Sequence, residues 1–346
     1  MGSLESRLKA RAAELGFALS GVAPATDADG FDRFAAWLDR GFAGEMDYLH
    51  RLREERRHPR SVLETVRSVL MVGLEYAPGA PPVPDAPGSP GARVASYAAG
   101  PDYHRFIWDR LNALCDWLEG EAPGCRAEAV ADTAPLLERD FARRAGLGWV
   151  GKNAMLIHPA RGSFFFLGAL LTDLELAPDE PFDRSHCGTC TACLDACPTA
   201  AFPEPHVLDA TKCISYLTIE LRTPIPAEFR ESMGNWLYGC DVCQDVCQWN
   251  RKANPAPAFP HRPDLGWLDP VELLGLDAEA FRVRFKHTSL FRNRRPGLLR
   301  NAAIVLGNVG DARALPALER ALTDDAVIAD AARWAIERIG QRASKR

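Results

Sequence analysis

The chain has 346 residues, of which 47% are hydrophobic and 25% charged, and its formal net charge is −5. This length suits two or three structural modules rather than one small core. The sequence contains no apolar run of the roughly 18 residues that a membrane span needs, and it begins with an amphipathic pattern rather than a signal peptide. We therefore expect a cytoplasmic protein without a membrane span.

The first half of the chain alternates helical and strand-like patterns. Residues 4–15 predict an amphipathic helix that ends at Gly16, and residues 31–49 predict a second helix. The pattern SVLMVGLEY (68–76) predicts a buried strand, and six prolines within 78–91 predict an exposed loop. The elements predicted next are a helix over 103–118, a strand over 127–131, a helix over 135–145 and strands around 148–157 and 163–174.

These patterns divide the chain into three predicted modules. The alternating elements predict an α/β or α+β domain over residues 1–178, and a cysteine-rich segment of weak periodicity covers 179–255. Residues 256–346 are predicted to be helical. Within them NAAIVLGNVG (301–310) aligns with AARWAIERIG (331–340), which favours HEAT-like helix pairs over the alternative of two unrelated helices.

Eight of the ten cysteines lie between Cys187 and Cys247. In a reducing compartment such a dense cluster indicates metal binding rather than disulfide bonds. The stretch CGTCTACLDACP (187–198) follows the bacterial ferredoxin pattern, in which three thiols bind one cubane and the fourth, before a proline, binds the other. Cys213 and the stretch CDVCQDVC (240–247) supply the second half of the pattern.

The ferredoxin crossover predicts two [4Fe–4S] clusters in a ferredoxin-like domain. One cluster is assigned to Cys187, Cys190, Cys193 and Cys247, and the other to Cys197, Cys213, Cys240 and Cys243. The sequence departs from a simple ferredoxin in the 26 residues between Cys213 and Cys240 and in Gln248, which replaces the expected proline. Zinc is the competing metal, but three evenly spaced thiols are a set that zinc seldom uses.

Two clusters imply electron transfer, yet a bare ferredoxin needs only about 55–80 residues. The remainder of the chain is therefore expected to bind a second redox centre or a substrate. No GxGxxG follows a predicted strand, so a nicotinamide or flavin Rossmann site has no support. A DxHxxG cobalamin-ligand motif is also absent, because DYHRFI (102–107) lacks the glycine.

Several segments carry a family resemblance, in order, through nearly the whole chain. They are ADTAPLLERDFARRAGLGWVGKNAMLI (131–157), GSFFFLG (162–168), the cysteine run, CISYLTIEL (213–221), GNWLYGCDVCQDVCQWN (234–250) and GLLRNAAIVLGN (297–308). Together they resemble the epoxyqueuosine reductases, a family similar in its catalytic part to cobalamin-dependent reductive dehalogenases.

The resemblance implies the last step of queuosine biosynthesis, in which an epoxide on the wobble base of tRNA is reduced to an alkene. It implies an α/β cobalamin-binding core that holds cobalamin without a histidine beneath the cobalt, so the missing DxHxxG motif is uninformative. The reaction needs two electrons and a proton donor for the departing oxygen. The two clusters would relay electrons to cobalt.

Asp132 matches the proton donor of the family. From the residues alone, an aspartate between a strand and a helix with Pro135 in its first turn is more often an N-cap. The two roles conflict, since a cap uses the anion and an acid needs the proton. A catalytic Asp132 is therefore expected to have a raised pKa, caused by desolvation beside the corrin.

The resemblance also implies contacts to cobalamin in family-like segments. The expected pocket residues, besides Asp132, are Arg57, Tyr97, Lys152, Asn153, Ser215, Thr218, Asp241 and Gln244. Each has a simpler alternative: Arg57 lies in a charge run typical of a solvated helix face, and Ser215 and Thr218 could satisfy local backbone groups.

A basic stripe near the C-terminus contrasts with the negative net charge. Between Glu279 and Asp311 there is no acidic residue but seven basic ones, interleaved with Phe285 and Phe291. Such clustering favours phosphate contacts, with aromatic rings available to stack on unpaired bases. The residues expected to bind the tRNA anticodon loop are Lys286, Arg292, Arg294, Arg295 and Arg300.

Two other functions compete with this interpretation. A small-molecule reductase of the dehalogenase type would share the chemistry but would not need the basic stripe or the C-terminal helices. A non-catalytic electron-transfer subunit would need neither a corrin pocket nor Asp132. For the main hypothesis we expect an external one-electron donor such as flavodoxin or ferredoxin, and a monomeric enzyme.

Overall fold

In the computed structural model, which describes residues 2–76, 91–253 and 256–344, the first half of the chain is built on a single antiparallel sheet. The strands of the described residues are β1 (Leu19–Pro24), β2 (Ser68–Glu75), β3 (Ala92–Val94), β4 (Ala127–Val130), β5 (Trp149–Val150), β6 (Leu156–Ile157), β7 (Phe165–Thr172), β8 (Trp236–Tyr238) and β9 (Trp267–Leu268). The main sheet has the order β1-β2-β7-β4, and smaller sheets join β8-β3-β9 and β5-β6.

Helices cover both faces of this sheet and form most of the C-terminal part. In the described residues they are α1 (Leu4–Glu14), α2 (Phe31–Asp39), α3 (Asp47–Arg51), α4 (Tyr103–Glu121), α5 (Glu138–Arg144), α6 (Ala192–Asp195), α7 (Ile214–Ile219), α8 (Ala227–Arg230), α9 (Val242–Asp245), α10 (Gln248–Lys252), α11 (Pro263–Gly266), α12 (Pro270–Leu274), α13 (Ala278–Phe285), α14 (Arg294–Val309), α15 (Leu315–Ala321) and α16 (Ala326–Ser344). None of the helices in these three ranges combines the length and apolarity that a membrane crossing demands.

Strand β2 is one of the two inner strands of the main sheet and is buried along its whole length. Its side chains alternate between the two faces, so Leu70 and Val72 pack on one side with α1 and α4, whereas Val69 and Met71 pack on the other with α2 and α5. Full burial of each such side chain contributes about 1.5–3 kcal/mol. The predicted strand over 68–76 is thus confirmed as the centre of a mixed α and β core.

The C-terminal helices form a second core around α14. Eleven successive residues of this helix, from Gly297 to Gly307, are buried, because α16, α12 and the β8 edge surround it. The same core includes Ala92, Ala210 and Trp236. One hydrophobic core therefore crosses the boundaries that the sequence predicts at residues 178 and 255, and the three-module division stays a prediction.

Two predicted helices differ from the structure. The helix expected over 31–49 is broken into α2 and α3, because Gly41 and Gly44 adopt positive φ angles of 72° and 56°. Gly44 also lies against Tyr216, whose hydroxyl oxygen would be 2.3 Å from an added Cβ atom, so this position accepts only glycine. The helix expected over 135–145 begins only at Glu138. The loop expected over 78–91 falls, except for Gly91, outside the described residues.

Candidate functional site

Two adjoining cavities lie where the main sheet, the cysteine segment and the C-terminal helices meet. The inner cavity has a volume of about 350 Å³ and the outer cavity about 710 Å³. The residues that line both of them are Tyr97, Tyr103, Asp132, Leu208, Cys213 and Ser215. A molecule in the inner cavity and another in the outer one would therefore share a boundary that includes Asp132.

The eight clustered cysteines separate into two groups of four. The near quartet lines the inner cavity and consists of Cys197, Cys213, Cys240 and Cys243. The far quartet lines a separate, small cavity of about 20 Å³ and consists of Cys187, Cys190, Cys193 and Cys247. The structure thus brings together the same two sets of thiols that the ferredoxin crossover predicts.

Six of the nine residues expected to contact cobalamin line the inner cavity. These six are Tyr97, Asp132, Asn153, Ser215, Asp241 and Gln244. Two of them are fixed by buried hydrogen bonds: Asp241 accepts from the backbone N–H and hydroxyl of Ser96, at 2.7 and 2.6 Å, and the Gln244 amide donates to the Ser163 carbonyl at 3.0 Å.

The other three expected contacts are not brought to the inner cavity. Arg57 pairs with Glu54 at 3.2 Å and covers the ring of Phe31. Thr218 is fully buried in α7, where its hydroxyl donates to the Ile214 carbonyl and accepts from the Gly239 N–H. The Lys152 ammonium donates to the carbonyls of Gly188 and Cys190 beside the far quartet. These three residues do not line the inner cavity, and their contact with cobalamin stays a prediction.

Asp132 lies in the loop between β4 and α5. Its φ of 57° is in the left-handed region, which aspartate tolerates better than most residues. Helix α5 begins six residues later, after Leu137, so Asp132 does not cap it and the N-cap alternative is wrong. The side chain instead accepts hydrogen bonds through Oδ2 from the Tyr103 hydroxyl at 2.6 Å and from Nε2 of His104 at 3.1 Å.

The first turn of α4 places these two donors. Asp102 caps the helix through the N–H of His104, and its carboxylate also lies 2.7 Å from Nδ1 of the same residue. The Tyr103 ring stacks on Phe166 of β7, with centroids 4.5 Å apart. On the other side of Asp132, its backbone N–H donates to Oε1 of Glu138 at 2.8 Å. Asp132 is therefore fixed both by its side chain and by its backbone.

The expected raised pKa of Asp132 is wrong for this arrangement. Burial raises the pKa of Asp132, but the hydrogen bonds from His104 and Tyr103 and the charge of His104 outweigh it and lower the value to about 2. Burial lowers the pKa of His104, but its bonds to Asp102 and Asp132 raise the value to about 9. At neutral pH the proton of this group therefore resides on His104, between two carboxylates.

Glu138 has the opposite behaviour. Burial, followed by the negative charge of Asp132, raises the pKa of Glu138 to about 7. Sequence reasoning missed Tyr103, His104 and Glu138 as site residues. The only signal was the segment DYHRFI (102–107), whose histidine does not fit a cobalamin-ligand motif but in the structure faces Asp132.

The basic stripe is only partly available to a ligand. Lys286 and Arg292 line the outer cavity, and Arg294 is exposed. The sequence suggested that no acids are near, but ion pairs join Arg282 to Glu279, Arg284 to Glu272, Arg292 to Glu220 and Arg295 to Asp324. These acids are close in space although most are distant in sequence.

Arg300 is a correction to the predicted tRNA-binding set. Its side chain is completely buried, and the guanidinium donates to the carbonyls of Leu217, Leu221 and Thr223. These bonds satisfy the end of α7 and the segment that follows it, so Arg300 holds the fold together and does not face a ligand. Arg295 is also occupied within the protein, because its two terminal nitrogens donate to the two carboxylate oxygens of Asp324 at 2.8 and 2.5 Å.

Comparison with known proteins connects this geometry to a family. A family model of a 4Fe-4S double cluster binding domain matches residues 186–250, and a model of epoxyqueuosine reductase QueG matches residues 56–133. The first match agrees with the two cysteine quartets and contradicts the zinc alternative. The cysteine segment is a double [4Fe–4S] cluster domain.

Relatives cover nearly the whole chain. The epoxyqueuosine reductase of Gloeobacter violaceus is 43% identical over 330 residues, which are 91% of this chain and 99% of the relative. A crystal structure of epoxyqueuosine reductase with an epoxyqueuosine-modified tRNA-Tyr stem loop is 32% identical, with a TM-score of 0.90, and the match covers 98% of this chain and 91% of that one.

A third match concerns the loop geometry. The structure of epoxyqueuosine reductase from Bacillus subtilis with its catalytic aspartate loop swung out of the active site is 32% identical, with a TM-score of 0.89 and coverage of 98% and 91%. Identity, coverage and architecture agree across all three comparisons. The chain belongs to the epoxyqueuosine reductase family.

Proposed function

We propose that this protein reduces epoxyqueuosine to queuosine at the wobble position of tRNA. The reaction consumes two electrons and two protons: the two C–O bonds of the epoxide break, a C=C bond forms, and the oxygen leaves as water. One observation carries the proposal, namely that Asp132 lies on the boundary between a cavity lined by four cluster cysteines and a cavity whose lining includes Lys286 and Arg292. Electrons reach the substrate from one side and protons from the other.

The near and far quartets are proposed as the ligands of the two [4Fe–4S] clusters. The near cluster takes Cys197, Cys213, Cys240 and Cys243, and the far cluster takes Cys187, Cys190, Cys193 and Cys247. The far quartet lies beside an exposed loop that includes Gly188 and Thr189. This placement supports electron entry at the far cluster from an external one-electron carrier such as flavodoxin or ferredoxin, followed by transfer to the near cluster.

The inner cavity is the proposed cobalamin site. Its walls are largely aromatic and apolar, as the corrin of a buried cofactor requires, and its polar residues sit at fixed positions. Tyr97, Asn153, Ser215, Asp241 and Gln244 would hold the cofactor. No histidine stands among the described residues that line the cavity. When bound, cobalamin supplies a low-valent cobalt that acts as nucleophile or reductant toward the epoxide carbon.

The proton donor is proposed to be the Asp132–His104 pair rather than Asp132 alone. His104 stores the proton, since its pKa is raised to about 9 by its two carboxylate partners after the opposing effect of burial. As negative charge develops on the departing oxygen, His104 gives its proton to the Asp132 carboxylate across their 3.1 Å hydrogen bond, and Asp132 passes it on to the oxygen. The second proton, which completes the water molecule, is taken up from solvent. Tyr103 keeps the Asp132 carboxylate oriented through its own hydrogen bond.

The outer cavity is proposed to receive the wobble base and the adjoining backbone of the anticodon loop. Lys286 and Arg292 line it and can contact phosphate, and Phe291 in the same lining is an exposed aromatic ring on which a base can stack. Arg294, exposed at the start of α14, extends this surface. The long helices α14 and α16, which contain the proposed HEAT-like repeat, support it from behind.

A single-turnover assay tests the proposal. The anaerobically reconstituted protein, loaded with cobalamin and reduced, is mixed in excess with a tRNA stem loop that carries epoxyqueuosine, and the nucleosides are analysed by mass. We expect loss of one oxygen atom from the modified base. An unchanged epoxide with fully loaded clusters and cobalamin would favour the electron-transfer alternative, and turnover of a free epoxide or halocarbon without tRNA would favour the small-molecule reductase.

We also propose that the enzyme is a monomer and that it acts in the cytoplasm.

A further inference from the structure

Two tryptophan side chains flank the far quartet. Trp149 of β5 is almost completely buried, and its indole N–H donates to Sγ of Cys187 at 3.5 Å. The Trp249 ring, at the start of α10, lies edge-on to it with centroids 5.0 Å apart. Trp249 also lines the small cavity that the far quartet encloses. Both indoles are therefore in position to interact with whatever the four thiols hold.

The indole N–H of Trp249 has no hydrogen-bond acceptor in the part of the chain that the structure describes. Its Nε1 is nevertheless buried. Tryptophan is a donor only, and a buried donor without a partner costs about 1–3 kcal/mol. Such an orphan group calls for an explanation. A cubane on the far quartet supplies one, because its sulfides and the cysteine sulfurs are hydrogen-bond acceptors next to this ring.

A third group adds positive charge at the same place. The Lys152 ammonium donates to the carbonyls of Gly188 and Cys190, at 2.8 and 3.0 Å, and so is held over the loop that carries the first two thiols of the far quartet. One-electron reduction takes a [4Fe–4S] cluster from the 2+ to the 1+ core and adds one negative charge to it. Hydrogen bonds to sulfur, nearby positive charge and solvent exposure all favour that reduced state.

We propose that Trp149 and Trp249 donate hydrogen bonds to sulfur at the far cluster and, with Lys152, raise its reduction potential, so that it is the first of the two clusters to be reduced. The near quartet lines the inner cavity, whereas the loop of the far quartet is exposed. The two indoles thus stabilise the reduced state of the far cluster, where electrons enter, until the electron is transferred to the near cluster. This inference rests on the proposed assignment of the far quartet.

The test is a potentiometric titration followed by electron paramagnetic resonance on the reconstituted protein. Trp149→Phe and Trp249→Phe each remove one N–H and keep an aromatic ring. For each we expect the ratio of reduced to oxidised higher-potential cluster at a fixed potential to fall about tenfold, which corresponds to a midpoint potential lower by about 59 mV for a one-electron couple. The lower-potential cluster should titrate as before.

Matched controls separate the hydrogen bond from the packing. Trp117→Phe changes a tryptophan of α4 that packs in the core between α1, α4 and the main sheet, so it should shift the midpoint potential of neither cluster. If Trp149→Phe fails to bind iron, 3-benzothienylalanine at position 149 keeps the ring shape without the N–H. Midpoint potentials that stay unchanged in the loaded Trp149 and Trp249 variants would overturn the proposal, as would equal shifts of both clusters. Iron content and turnover on epoxide-bearing tRNA report separately on the cluster assignment and on the proposed function.

Discussion

The inner and outer cavities share a wall but differ in chemistry. The inner cavity is lined by four cysteines and by aromatic residues such as Phe165 and Phe166, whereas the outer cavity is lined by charged residues that include Arg56, Glu220 and Lys286. The first environment suits redox chemistry in a dry space, and the second suits a polyanionic substrate and proton transfer. The proposed function therefore assigns electron supply to the inner cavity and proton supply to the outer one, with one catalytic residue on their boundary.

That residue is Asp132, and its neutralisation is expected to have the largest effect. In Asp132→Asn the hydrogen bonds from Tyr103 and His104 can be kept in part, but the group can no longer pass on a proton. We expect the single-turnover rate to fall about 10²–10⁴-fold, the usual contribution of a positioned acid or base. Iron content and the cobalamin spectrum should match those of the wild type. Asp109→Asn, which changes an exposed carboxylate on α4, is the control; full activity of Asp132→Asn would remove its catalytic role.

The second prediction tests whether His104, which lines the outer cavity, supplies the proton. His104→Gln retains a hydrogen bond to Asp132 but stores no proton, so we expect a loss of about 10²-fold in the single-turnover rate. Because the pKa of His104 is raised to about 9, the wild-type rate should fall as the pH rises through 9. This alkaline limb should be missing in the variant. A limb of the same position in both proteins would assign it to another group.

The same pKa shift has a stability counterpart. A histidine whose pKa is 6.5 when unfolded and about 9 when folded stabilises the fold fully below pH 6.5, and this stabilisation is lost as the pH rises to 9. The melting temperature of the wild type should therefore drop over this interval more than that of His104→Gln. The measurement is thermal unfolding at several pH values, and parallel curves would contradict the raised pKa.

The third prediction concerns the cations of the outer cavity. Lys286→Glu and Arg292→Glu place negative charge in its lining, so we expect KM for the tRNA stem loop to rise about tenfold while the rate at saturation changes little. The dependence of log affinity on log salt should become shallower by about 0.7 to 0.9 for each phosphate that the protein no longer neutralises. Arg282→Glu is the matched control, since Arg282 lies on the preceding helix, is paired with Glu279 and does not line the cavity. An equal rise of KM in this control would indicate a nonspecific charge effect.

The inner cavity was easier to predict from the sequence than the outer one. The cysteine quartets follow from the spacing within two short segments together with the ferredoxin crossover between them. His104 and Asp132 are 28 residues apart and meet only because α4 packs on the main sheet, in which β4 is an edge strand. Arg300 lies in a basic run but is buried, because carbonyls of the segment after α7 need its donors. A cysteine motif therefore identifies the cluster ligands from the sequence. Which charged side chains face a substrate depends on tertiary packing, which the sequence pattern does not show.

The smallest effect is expected at the backbone of Asp132. Glu138→Ala removes the acceptor of the Asp132 N–H, and a residue at positive φ then loses one of the bonds that hold it. We expect a several-fold slower turnover and faster hydrogen exchange in the loop between β4 and α5. Glu138→Gln keeps a carbonyl acceptor without the charge and should behave much like the wild type. If the alanine and glutamine variants exchange and turn over alike, the bond does not hold the loop, and Tyr103 and His104 alone fix the position at which the two cavities meet.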